Sequence, residues 1–133
     1  MTAVLPQTTI PAAGTYVSPV WDAGGKCPKL ISFFLKFLYG AGGTSINVYI
    51  QTSLDGVTFF DSVAFSQITT SAGNQFWSIG PPGSSQTGTL TDGALGAGTA
   101  KAGFLGRYWR IKYIVVGTYT GASSLEVDGF GSY

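Results

Sequence analysis

Six acids, one thiol and no histidine make up the reactive inventory of this 133-residue chain. Without imidazole there is no common general base, no usual transition-metal ligand and no Ser-His-Asp or Cys-His arrangement. A zinc site would have to be built from one thiol and a few carboxylates, which suits the ion poorly. Cys27 lies in Gly24-Gly25-Lys26-Cys27-Pro28, where Lys26 and the following Lys29 could lower its pKa. With no base to partner it, it reads as a passive thiol. The acids are Asp22, Asp55, Asp61, Asp92, Glu126 and Asp128. Glycosidase chemistry would need two of them facing each other across a cleft. Glu126 and Asp128 share a strand face, but cations on a neighbouring strand account for them. Asp55 belongs to a turn. Asp22, Asp61 and Asp92 have no assigned partner, and a weak calcium site among them has no supporting pattern. Gly93 to Gly98 lacks the lysine and following helix of a phosphate loop. The expectation is a chain that is not an enzyme and has no cofactor and no metal.

The composition says what the surface is made of. Charged residues are 10% of the chain, against about 25% in average proteins. Ser, Thr, Asn, Gln and Gly must keep the surface polar, as in secreted or virion-surface β proteins. The seven basic residues are scattered and the net charge is +1. Lys26, Lys29 and Lys36 come nearest to a cluster and read as solvated lysines, so no nucleic-acid partner is expected. Met1 to Pro6 shows no leader pattern. The longest apolar stretch, Leu30 to Tyr39, is too short to span a bilayer, so no membrane partner is expected either. The single cysteine excludes an internal disulfide.

Twenty glycines and six prolines punctuate the chain too often for long helices. Strand patterns run over Tyr16 to Ala23, Leu30 to Tyr39, Thr44 to Ser53, Val57 to Phe65 and Gln75 to Ile79. Ile46, Val48 and Ile50 alternate with Asn47, Tyr49 and Gln51. Leu54-Asp55-Gly56-Val57 reads as a tight hairpin turn of two or three residues. Arg107 to Val116 and Ser123 to Phe130 read as a second hairpin around Gly117 to Gly121. One register opposes Ile111 to Val127 and Tyr113 to Leu125 on the inner face. The same register opposes Arg110 to Asp128 and Lys112 to Glu126 outside. Residues 1–14 read as an extended arm, either disordered or laid along a neighbour. Residues 80–106 read as a long Gly/Ser/Thr-rich loop, either a floppy excursion or a contact loop that orders on a partner. Several antiparallel strands with no helical stretch give the expected fold class: all-β, a two-sheet antiparallel sandwich of jelly-roll type, with residues 15–133 as one domain.

Gly14-Thr15-Tyr16-Val17-Ser18-Pro19-Val20-Trp21-Asp22-Ala23-Gly24, Tyr39 to Ser45, Gln51 to Gly56 and Gly117 to Leu125 resemble small proteins of tailed phages and prophages. More loosely, the chain is similar to the capsid decoration, or cement, proteins of such phages, which are small jelly rolls seated between capsomers. That resemblance implies a virion location on the outer capsid surface, assembly in the host cytoplasm and many copies per particle. The implied partners are the major capsid protein and the chain itself, as a small homo-oligomer. The arm and the long loop would then supply contacts through Leu5, Pro6, Ile10, Pro11, Pro81, Pro82, Leu90 and Leu95. A rival resemblance runs through Ser53 to Phe59 and Arg107 to Ile111, which are similar to discoidin-like, galactose-binding jelly rolls. Those modules usually carry tryptophan where Phe59 or Phe60 stands. Trp21, Trp77, Tyr108 and Tyr119 are the candidate sugar platforms on that reading. A tail or baseplate component is a third alternative of the same composition.

Overall fold

The computed structural model describes residues 2–22, 30–79, 91–100 and 106–132. Where hydrophobic residues alternate with polar ones, the chain forms strands. In Leu30–Leu38 (β4), Ile31, Phe33, Leu35 and Phe37 are buried while Leu30, Lys36 and Leu38 are exposed. Tyr108–Val116 (β10) likewise buries Trp109, Ile111, Tyr113 and Val115. The remaining long strands are Thr2–Thr9 (β1), Ser45–Ser53 (β6), Phe60–Ala64 (β7), Gly73–Ile79 (β8) and Ser124–Ser132 (β12). Gly14–Val17 (β2), Trp21–Asp22 (β3), Ala41–Gly42 (β5), Thr99–Ala100 (β9) and Tyr119–Thr120 (β11) are shorter.

One sheet has the order β1-β12-β4-β8 and the other β2-β10-β6-β7-β9, with β3 beside β10 on the β2 edge. All ladders are antiparallel. Taken as chain segments, the two orders are the same: 2–22, then 108–132, then 30–53, then 60–79. Each segment therefore crosses from one sheet to the other, and its neighbours cross with it. The result is a jelly roll, an antiparallel ribbon folded over its own apolar face. Phe33 of the first sheet meets Trp109 of the second at 5.6 Å between ring centres, which closes the core between them.

The hairpin expected between β10 and β12 is corrected by this topology. The two strands lie in opposite sheets: β10 pairs β6, with Ile111 opposite Ile50, and β12 pairs β4, with Glu126 opposite Lys36. Ile111 and Tyr113 do share the interior with Leu125 and Val127, but across the sandwich. The expected ion pairs are replaced. Lys36 contacts Glu126 at 3.3 Å and Asp128 at 3.7 Å, while Lys112 contacts Asp92 at 2.7 Å. Burial and the nearby Glu126 charge raise the pKa of Asp128, and Lys36 only partly offsets them.

Between β10 and β12 the chain turns over through β11, which pairs β5 in the equivalent crossing between β4 and β6. One register runs unbroken from Tyr108↔Ser53 to Thr120↔Ala41 and slips by one residue before Ser124↔Leu38. Gly121 and Ala122, both at positive φ, absorb the slip. The crossings touch backbone to backbone. A Cβ on Gly40 would stand 2.0 Å from the Gly121 carbonyl oxygen. Gly40→Ala is therefore expected to cost more than about 1 kcal/mol, because only separating the two crossings relieves the overlap. Denaturant unfolding measures it.

The arm is also corrected. β1 is an edge strand of the first sheet, hydrogen-bonded to β12 from Thr2↔Gly129 to Thr9↔Ser124. Val4, Leu5 and Ile10 are buried in the chain's own core. The Leu54–Val57 turn is longer than expected, since β6 ends at Ser53 and β7 begins at Phe60. Asp55 organises it by accepting from the Val57 and Thr58 amides and the Ser53 hydroxyl at 2.8–2.9 Å. Those donors hold its pKa at about 2, the Thr58 amide having the largest effect.

Candidate recognition surface

The outer faces of the two sheets differ in kind. Over the second sheet, residues 91–95 in the middle of the long loop lie on the strands. Asp61 of β7 is fully buried there and accepts five donors from that loop and from β6. Its oxygens take the Gln51 amide at 2.9 Å, the Thr91 hydroxyl at 2.9 Å, and the Gly93, Ala94 and Leu95 backbone amides at 2.9, 3.0 and 3.2 Å. The Asp61 amide in turn donates to the Thr91 carbonyl at 2.8 Å. Gly93 has φ of +77°, which lets successive amides converge on one carboxylate.

Gln51 extends the network. Its carbonyl oxygen accepts from Arg110 at 2.7 Å, and its amide also reaches Asp92 at 2.7 Å. The Arg110 guanidinium lies 4.2 Å from the centre of the Phe59 ring. Burial alone would raise the Asp61 pKa, but the Gln51, Gly93, Ala94 and Thr91 donors outweigh it and hold the carboxyl below its ordinary 3.8. A depressed folded-state pKa means the clasp contributes fully above pH 3.8 and is lost as pH falls through the lower folded value. Protection factors at the Gly93, Ala94 and Leu95 amides are thus expected to fall on the acid side of pH 3.8 before those of the core amides do.

Among the described residues, no loop folds over the outer face of the first sheet. Alternation on β4, β8 and β12 sends Phe34, Phe76 and Phe130 to its outer face, and Phe76 and Phe130 are 74% and 60% exposed. With Phe34 they line a shallow depression of about 280 Å³, whose polar lining residues are Ser32, Ser78 and Asp128. The Ser32 and Ser78 hydroxyls are 2.9 Å apart and hydrogen-bonded. Leu30 is exposed on the same face at one end, and Leu38 lies at the other beyond the polar row of Lys36, Glu126 and Asn74; Lys36 is 5.6 Å from the Phe34 ring centre. Contiguous exposed apolar surface on a well-packed domain marks a contact site. Its lining offers a small ligand aromatic rings together with two hydroxyls and one carboxylate.

The residues expected to act divide accordingly. Leu5 and Ile10 are core residues and cannot meet a partner in this fold; Pro6 is exposed, Pro11 half-buried and Leu95 half-buried at the Asp61 clasp. Pro81, Pro82 and Leu90, like Cys27, Lys26 and Lys29, lie outside the described residues. The candidate sugar platforms are largely used internally. Tyr119 is buried and donates to the Thr69 carbonyl at 2.7 Å, Trp21 and Trp77 pack on the core, and Tyr108 is half-buried under Arg107 at 5.1 Å. The three acids without an assigned role have roles. Asp22 pairs with Arg107 at 2.9 Å, Asp61 anchors the loop and Asp92 holds Lys112. Among the described residues no three Cys, Asp or Glu side chains gather into a metal-binding group. The outward phenylalanines are harder to pick out of the sequence than the tryptophans and tyrosines, whose polar groups mark them as sugar platforms. Phe34 at an even position of β4 was the available signal.

No family model, no curated protein and no solved structure matches this chain.

Proposed function

We propose that this chain is a structural binding protein, a decoration or cement protein that attaches to the outer surface of a phage capsid and bridges its subunits. The observation that carries the reading is the exposed Phe34, Phe76 and Phe130 face of an otherwise tightly packed jelly roll. A cement needs a rigid body and an apolar contact, because it stabilises a shell by adding buried area at subunit junctions. Repetition over a symmetric lattice then multiplies weak contacts into firm attachment. On this reading the major capsid protein is the partner, the site of action is the virion exterior and no catalytic step is involved.

A carbohydrate-binding module is the second reading, favoured by the position of Ser32, Ser78 and Asp128 between the rings. Aromatic walls with a few polar groups are the ordinary make-up of a small-ligand site. Phe130→Ser separates binding from folding, since the ring is mostly exposed. It is expected to weaken co-sedimentation with capsids roughly tenfold, about 1.4 kcal/mol, and to leave the thermal transition in place. Capsid binding unchanged by Phe130→Ser, or saturable titration with simple sugars, rejects the cement assignment.

A further inference from the structure

Of the four edges of the two main sheets among the described residues, three are protected. β1 carries Pro6 and two register shifts. The β2/β3 edge is interrupted at Ser18, Pro19 and Val20, and β9 is two residues long. Proline, irregularity and brevity are the usual means by which sheets avoid pairing with another chain. β8 has none of them. Its seven residues, Gly73-Asn74-Gln75-Phe76-Trp77-Ser78-Ile79, contain no charge and no proline, and they pair with β4 in one unshifted register from Ile31↔Ile79 to Phe37↔Gly73. Its other side has no strand partner among the described residues.

We infer that β8 is the interface to a second copy of this chain, joined edge to edge and antiparallel about a two-fold axis at Phe76, so that the two four-stranded sheets become one of eight strands. The sequence of β8 complements itself in that register. Residues directly opposed in an antiparallel pair point to the same face, so even-numbered residues must meet even-numbered ones. Centring on Phe76 pairs all seven residues. Phe76 meets its own copy, Asn74 meets Ser78 outside, and Gln75 meets Trp77 on the core side. On the outer face aromatic therefore faces aromatic and amide faces hydroxyl, the kinds of cross-strand pair that stabilise sheets. With no charge on the edge, no like charges oppose each other at the axis. This assignment goes beyond the proposed function and stands whether or not a capsid is the target. Its consequence is that two phenylalanine faces abut and present one continuous apolar strip.

Sedimentation equilibrium of the full chain is expected to give a dimer. Phe76→Lys and Phe76→Glu, each placing like charges directly opposite one another, should raise the dissociation constant roughly tenfold or more. An equimolar mixture of the two should recover the dimer. Because Phe76 is exposed in the single chain, both variants are expected to keep the wild-type circular dichroism. In a Cys27→Ser background, the double variant Asn74→Cys/Ser78→Cys should form an intermolecular disulfide under mild oxidation, and neither single variant should. A chain that stays monomeric at every concentration, a dimer indifferent to Phe76→Lys, or cross-linking by either single cysteine overturns the assignment.

Discussion

A chain lacking residues 1–12 is expected to lose cooperative folding rather than merely a contact arm. The deletion removes Val4, Leu5 and Ile10, all in the core cluster, together with the whole β1 ladder on β12. Burying one such side chain stabilises by about 1.5–3 kcal/mol, so the three together reach several kcal/mol as an upper estimate. Net stabilities of domains are only about 5–15 kcal/mol. The loss is compounded because β12, otherwise shielded on both sides, becomes an edge. A broad or absent thermal transition in the truncated chain is the expected reading. A sharp transition near that of the full chain would place β1 outside the cooperative unit.

Asp61→Ala is expected to cost about 3–5 kcal/mol, since it leaves partners of a buried, charge-assisted hydrogen-bond cluster without an acceptor. The Gln51 amide, the Thr91 hydroxyl and the Gly93, Ala94 and Leu95 amides all converge on this carboxylate. Asp61→Asn tests the charge separately. It keeps the shape but turns an NH2 group toward donors, so it should recover only a minor part of the loss. Urea unfolding of both variants, read with amide exchange at residues 93–95, distinguishes loop release from global destabilisation. Equal protection at those amides in wild type and Asp61→Ala would show that the carboxylate does not hold the loop.

Three of the long strands were legible in the sequence to within a residue, because burial of one face imposes a period of two. Leu30 to Tyr39 became Leu30–Leu38, Thr44 to Ser53 became Ser45–Ser53, and Arg107 to Val116 became Tyr108–Val116. Pairing was less legible. An inward face on β10 and another on β12 look the same whether the strands lie side by side or across the core from each other. Opposite charges on their outer faces then completed a false register. What decides between them is the Gly117–Ser123 crossing and its fit against Gly40, Gly42 and Gly43, a contact between segments some 80 residues apart. The Asp61 clasp was illegible for a similar reason: Asp61 and Thr91 are 30 residues apart, and Thr91 lies in the stretch from residue 80 that shows no periodicity. The arm was misread because β1, broken by Pro6 and two bulges, shows no clean alternation.

The shared segment order of the two sheets bears on how quickly the chain can reach its native state. β12 sits between β1 and β4, yet it is synthesised long after both, and Thr2 pairs with Gly129. Nearly every stabilising ladder thus closes a large loop before it returns any energy, which places refolding in the slow, millisecond-to-second range of all-β domains. Until that strand arrives, β4 offers an open, phenylalanine-rich edge, and nascent chains need shelter from one another.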